Sequence, residues 1–249
     1  MAPEPPFFEL ERVWVTKSDS RNGSRDVLRD VTLSVPAGAR WVVVGPSGSG
    51  KSTLLRLLNR FEEPSRGEVR IEGAGAASLD PSLLRRRVAL VSQVPVWLPG
   101  TARDNLTAAV GLGLLSPDAA NDRLPGILRQ AGLDESLLDR GEDQLSVGQR
   151  HRVVLGRALI NRPRAILLDE PTAALDPPAA RDLLDRIREL EQGELTVILV
   201  THRMRDARRF GTRAIVLEDG AVADQGPPVE VLARLETRWG EESRASSPS

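Results

Sequence analysis

The sequence predicts an α/β fold: a core built on a mainly parallel sheet, an N-terminal antiparallel β subdomain, and an inserted helical lobe. Three observations predict it. Two early runs, FFELERVWV (7–15) and VTLSV (31–35), alternate apolar and polar residues, as strands with one buried face do. The polar stretch SDSRNGSRD between them reads as a loop. Next, Trp41, Val42, Val43 and Val44 form a continuous apolar run, the mark of a parallel strand buried on both faces. A glycine-rich loop and the helix STLLRLLNR follow it, and strand-like runs recur at 68–72, 87–92, 164–169, 195–200 and 213–218 with helical stretches between several of them. Third, residues 101–148 break that rhythm: TARDNLTAAV, DAANDRLPGILRQAGL and ESLLDR are helical in pattern and hold no strand, so they form the lobe. Residues 7–238 are thus expected to make one domain, and the polar end, 239–249, a disordered tail.

Composition narrows the function. The 249 residues suffice for one large domain and are too few for two in tandem. Lys plus Arg number 34 against 35 Asp plus Glu, so the chain lacks the basic footprint of a nucleic-acid binder, and no nucleic acid is expected as partner. It has no cysteine, hence no disulfide and no thiolate zinc site. No window approaches the roughly 18 apolar residues of a spanning helix, so a cytosolic location, or one peripheral to a membrane, is expected.

The chemistry begins at GPSGSGKS, which fits the phosphate-binding pattern GxxxxGK[ST] and lies between a buried strand and a helix, where that pattern works. This makes the core that of a P-loop NTPase. Gly45, Gly48 and Gly50 let the backbone curl so that its N–H groups converge, and Pro46, Ser47, Ser49 and Thr53 complete the cradle. Lys51 is placed to reach the β- and γ-phosphates of ATP, and the Ser52 hydroxyl to ligand Mg²⁺. In AILLDEP (165–171) four apolar residues carry two carboxylates to a strand end. Asp169 is the candidate for the magnesium shell and Glu170 for the general base that polarises the attacking water.

These features alone suit a kinase, a GTPase or a helicase equally well. LSVGQR (145–150) resembles the ABC signature LSGGQ, and HRVVLGRALINRPRAILLDEPTAALD resembles the same family's run from signature helix to catalytic carboxylates. The resemblance covers roughly residues 7 to 235. It implies the ATP-binding, ATP-hydrolysing subunit of an ABC transporter, working as an ATP-dependent head-to-tail dimer beneath membrane permease subunits, peripheral to the inner face of the cell membrane. It also implies roles for individual residues. Ser146, Gly148 and Gln149 of the signature contact the γ-phosphate of ATP held by the partner chain. Gln93 matches the glutamine that senses magnesium and the attacking water, His202 the histidine at the γ-phosphate, and Asp176 the aspartate that crosses between the two sites. The segment VPVWLPGTARDNL (94–106) is similar to the one that receives a helix of the membrane subunit, with Trp97 and Leu98 as its apolar anchor. The other histidine, His151, reads as a solvated face residue.

Two departures stand out. Val147 replaces the second signature residue's usual neighbour, a glycine, and there is no tyrosine for the aromatic that the family stacks on adenine; Lys17 or Ser18 falls there. Trp14 alternates against Val13 and Val15 and reads as sheet packing. The cargo is open: TLLRLLNRFEEPSRGEVRIEG is similar to ATPases of phosphate and polar amino-acid importers, QVPVWLPGTARDNL to a group of small metal-related exporters, and an inorganic ion or small polar solute is the expectation. Two alternatives are a soluble ABC ATPase of assembly, repair or translation, which usually carries tandem domains, coiled-coil insertions or cysteine clusters, none of them present here, and a nucleotide-binding regulator that has lost catalysis, against which intact Glu170, Gln93 and His202 argue.

Overall fold

The computed structural model describes residues 6–19, 23–190 and 195–245. Strands β1 (Phe8–Asp19) and β2 (Gly23–Val35) pair antiparallel from Phe8 opposite Val35 to Asp19 opposite Gly23. Along β1 the buried residues are Phe8 and Leu10, then Val13 and Val15, a change of parity that strict alternation forbids. The register shifts between Leu10 and Val13, and Arg12 takes φ 46°, so a bulge returns the second half of the strand to the core face. The two strands also extend through most of the polar stretch read as a loop, because a hairpin ladder is made by backbone groups and its open end can be polar on both faces.

The chain then runs through β3 (Arg40–Val44), α1 (Lys51–Leu58), β4 (Arg66–Ile71), β5 (Ala74–Gly75), α2 (Pro81–Arg87) and β6 (Val88–Val91). The lobe follows as α3 (Ala102–Leu106), α4 (Ala108–Gly111) and α5 (Pro117–Ala131), and α6 (Val147–Leu159) leads back to the sheet. The remainder is β7 (Ala165–Asp169), α7 (Pro177–Glu189), β8 (Thr196–Val200), α8 (Met204–Phe210), β9 (Arg213–Glu218), β10 (Ala221–Gly226) and α9 (Pro228–Ala245).

Two sheets result, ordered β2-β1-β4-β5 and β10-β9-β3-β8-β7-β6. The first is antiparallel, and it includes the 68–72 run that the sequence placed in the parallel rhythm. The reason is visible in the side chains: Val69 and Ile71 are buried while Glu68 and Arg70 face out, the one-sided pattern of an antiparallel sheet, whereas all five residues of β7 and of β8 are buried. In the second sheet only β10 runs antiparallel, to β9.

Alternate residues of the central strands feed two cores. Val42, Val44, Ile166, Leu168, Val197 and Leu199 pack with the lobe and α6 to α9, while Trp41, Val43, Leu167, Ile198 and Val200 pack with α1 and the antiparallel sheet. The mainly parallel sheet is thus covered on both faces. At the C-terminus α9 buries Val231, Leu232 and Leu235 and continues to Ala245, beyond the point where the sequence reading ended the domain. Polar composition there does not break a helix already docked through its first turns. Residues 246–249 of the expected tail lie outside the described residues.

Candidate active site

Four neighbouring parallel strands, β3, β8, β7 and β6, end on the same side, and each hands over one motif at its carboxyl end. β3 delivers the loop 45–50, β7 Asp169 and Glu170, β8 His202, and β6 Gln93. Gly45, Ser47, Gly48, Gly50, Lys51, Ser52, Thr53, Gln93, Glu170 and His202 line one cleft of about 410 Å³, together with Val27 of β2. A larger cleft of about 840 Å³ under α5 contains none of the motif residues.

The loop's glycines answer to geometry. Gly45 has φ 152°, and a Cβ there would sit 2.0 Å from the Leu217 carbonyl oxygen. Gly50, at φ 101°, has the Val27 carbonyl and the Leu28 side chain each 2.8 Å from where a Cβ would stand. Lys51 Nζ donates to the carbonyls of Gly45 (2.9 Å) and Pro46 (2.7 Å), which holds the ammonium at the loop. Burial pushes the Lys51 pKa down from its ordinary value, against the pull of Glu170 and Asp169. Burial likewise pushes the Asp169 carboxyl up; the Ser52 hydrogen bond opposes that, and the charge of Glu170 adds to it. In a crowded, half-desolvated set of one ammonium, one hydroxyl and two carboxylates, a divalent cation would relieve the repulsion of the carboxylates, and the ammonium suits phosphate oxygens.

Glu170 is the meeting point. Its Oε2 accepts from Gln93 Nε2 at 3.3 Å and lies 3.0 Å from His202 Nδ1. Its backbone has φ 49°, in the left-handed region, stabilised by donation from its amide to the Val200 carbonyl at 3.0 Å. A non-glycine residue held so costs about 1–3 kcal/mol, and the turn is what aims the carboxylate back across the loop. Neither this strain nor the presence of Val27 is legible in the motifs; both depend on how β2 and β8 lie beside them.

The profile described as "ABC transporter" matches residues 28–173, more than half of the chain. This chain belongs to the ABC transporter family. Among relatives of this cassette, ABC transporter I family member 17 of Arabidopsis thaliana is 38% identical over 211 residues, 84% of this chain and 79% of that protein. Protein STAR1 of Oryza sativa subsp. japonica is 38% identical over 216 residues, 86% of this chain; the chain spans only 61% of STAR1's length. A dimeric ATP-binding cassette solved in a post-hydrolysis state with ADP and Pi superposes with TM-score 0.79 at 32% identity, covering 89% of this chain and 98% of that one.

Within this ABC cassette the remaining motif residues stand apart from the cleft. Ser146 is the N-cap of α6: its Oγ accepts from the Gln149 amide (3.2 Å) while Gln149 Oε1 accepts from the Ser146 amide (2.8 Å). Asp176 caps α7 in the same way, accepting from the Ala179 amide at 2.8 Å. Neither these three nor Gly148 lines the cleft formed by Lys51 and Glu170. A Cβ on Gly148 would meet nothing closer than Leu175, at 3.8 Å, so the fold of the cassette itself does not demand glycine there. Val147 is 40% exposed and leaves the helix start open. His151, read from the sequence as solvated, is instead buried, with Nδ1 2.9 Å from the Val147 carbonyl; it fills the inward face one turn into α6.

The segment after Gln93 also differs from the expectation. Trp97 is half-buried against the core beneath the lobe and its Nε1 donates to Gly100, while Val94 and Val96 are the exposed apolar residues, at 73% and 58%. The fully buried Asn105 organises this segment: its Oδ1 accepts from the Leu98 amide, its Nδ2 donates to the carbonyls of Leu98 and Thr101, and Arg157 of α6 donates both to Asn105 and to the Val96 carbonyl. The loop is thereby tied to the signature helix. Among the described residues no helix is long and apolar enough to cross a membrane.

Proposed function

We propose that the chain is the ATP-hydrolysing subunit of an ABC transporter, taking Mg·ATP at residues 45–53 and passing the work of hydrolysis to separate permease subunits at the inner face of the cell membrane. One observation carries the catalytic part: a single oxygen of Glu170 faces both Gln93 and His202 at the mouth of the phosphate cradle. The loop amides and Lys51 bind the β- and γ-phosphates, and Ser52 and Asp169, with Gln93 at the rim, are the oxygen donors suited to magnesium. When bound, magnesium neutralises charge that develops on the phosphate oxygens. Glu170 accepts a proton from the attacking water, Gln93 orients that water, and His202 donates toward the γ-phosphate.

A site built by one chain leaves the γ-phosphate open on the side of solvent. Ser146, Gly148 and Gln149, at a helix start whose N–H groups favour anions, supply that side from a second copy in a head-to-tail dimer, and Asp176 links the two sites. A glycine that its own fold does not require supports this reading, since close approach to a partner's phosphate gives it a reason. Val94 and Val96 form the apolar contact for the permease, and their tie to α6 through Asn105 and Arg157 connects docking with the signature. The relative named EcfA2, an energy-coupling factor transporter ATP-binding protein of Bacillus subtilis, supports a transport role.

The test is release of inorganic phosphate by the purified chain with Mg·ATP. It is expected in the wild type and lost in Lys51→Ala; equal release from both would overturn the assignment of the cradle.

A further inference from the structure

A nucleotide bound at Lys51 must lay its base on some surface, and the family's aromatic is missing. The residues aligned with it are spoken for or unsuited. Lys17 Nζ donates to Glu62 at 2.5 Å, Ser18 is small and exposed, and the half-buried Trp14 ring stacks under Arg66, whose guanidinium carbon lies 5.8 Å from its centroid.

The next strand offers a better surface. In β2, Asp26 lies opposite Thr16 and Leu28 opposite Val15, so a bulge falls at Val27 and breaks the strict alternation there. Val27 lines the phosphate cleft and also an adjoining cavity of about 330 Å³, whose other walls are Arg25, Asp26, Arg29, Gly48, Asp219 and Gly220. Two of its charged residues are engaged: Asp26 Oδ1 accepts from Thr16 Oγ1 at 2.7 Å, and Arg29 Nε donates to the Asp219 carbonyl at 2.6 Å. The Arg25 side chain is exposed and, among the described residues, makes no hydrogen bond or ion pair.

We propose that Arg25 is the base platform of this cassette, its guanidinium plane stacked on the purine of ATP while Val27 packs against the sugar. This rests on the reading of residues 45–53 as the ATP cradle. A guanidinium is planar, delocalised and weakly hydrated, so it stacks on an aromatic face as a lysine ammonium cannot. Because every purine presents a π-face, such a platform holds ATP and GTP about equally.

The experiment is calorimetric titration of wild type, Arg25→Ala, Arg25→Lys and Arg25→Tyr with Mg·ATP and with Mg·tripolyphosphate, which has the phosphates and no base. Melting temperatures of all four are compared first. Arg25→Ala is expected to weaken ATP about 5- to 150-fold, the equivalent of a lost stacking contact, and to leave tripolyphosphate unchanged. Arg25→Lys should be as weak as alanine, and Arg25→Tyr at least as tight as wild type. Equal ATP affinity in wild type and Arg25→Ala overturns the proposal. So does a parallel loss of ATP and tripolyphosphate, which would make Arg25 a phosphate contact, or full affinity in Arg25→Lys. If the wild type itself fails to bind Mg·ATP, the cradle reading falls first and the platform with it.

Discussion

Replacing Glu170 with glutamine keeps the length of the side chain and one oxygen to accept from Gln93, but removes the basicity. Glutamine must adopt the same φ of 49°, so the backbone strain of about 1–3 kcal/mol is common to both forms and the fold should be equally stable. What is lost is proton acceptance from the attacking water, typically worth about 10²–10⁴ in rate, or about 3–5 kcal/mol in the barrier at 1.36 kcal/mol per tenfold. Binding uses other groups, the loop amides, Lys51 and Ser52, so affinity for Mg·ATP should persist. The assay is single-turnover phosphate release at saturating Mg·ATP, run beside a nucleotide titration and a melting curve. Turnover within a factor of a few of wild type would refute the role of Glu170 as base. Loss of nucleotide binding together with turnover would refute the separation of binding from catalysis.

Four further outcomes follow from the packing. Gly45→Ala should destabilise by at least about 3 kcal/mol, because its Cβ would stand 2.0 Å from the Leu217 oxygen, whereas Gly48→Ala, at φ 78° with open space around it, should cost about 1–2 kcal/mol; urea denaturation compares them. Asp169→Asn should raise the melting temperature of the nucleotide-free protein at pH 7 while weakening magnesium-dependent binding. The sign follows from burial, which lifts the carboxyl pKa: stability falls as pH rises from the ordinary carboxyl range through the lifted value, and an amide carries no such penalty. A lower melting temperature for Asp169→Asn would contradict this. Asn105→Ala should cost about 2–4 kcal/mol and loosen the 96–105 segment, as seen by hydrogen exchange, since it leaves the Leu98 and Thr101 backbone groups without their partner. Val94→Ser with Val96→Ser should release the chain from its permease in a pull-down without lowering the melting temperature, whereas Trp97→Ala should lower it, the ring being packed on the core.

Much of the fold was legible because its signals are local. A continuous apolar run ending at glycine marked β3, and two carboxylates after AILL marked the end of β7, since a strand buried on both faces has no other pattern available. What failed needed information about neighbours. The run at 68–72 looks like any short strand until the alternation of Val69 and Ile71 with Glu68 and Arg70 is weighed, and that alternation belongs to the antiparallel sheet. The parity change in β1 hid a bulge at Arg12. His151 and Trp97 are both more buried than the sequence suggests: the face of α6 that buries the histidine, and the lobe that takes up the indole, are set by tertiary packing alone. In the site, Gln93, Glu170 and His202 are brought together as motif order suggests, yet the contribution of Val27 is invisible in the sequence, because β2 precedes the loop along the chain and meets it only through the fold.

The central claim is that ATP is held between two copies, by Lys51 of one chain and Ser146 of the other. It is tested most directly in the Glu170→Gln background, which slows hydrolysis, by light scattering of two further variants with Mg·ATP. Lys51→Ala alone lacks the cradle and Ser146→Arg alone blocks the signature, so each should remain monomeric. Mixed together they rebuild one intact site per pair, and a dimer containing one of each chain is expected. Dimers formed by either variant alone, or monomers only in a mixture where the Glu170→Gln parent does dimerise, would contradict it.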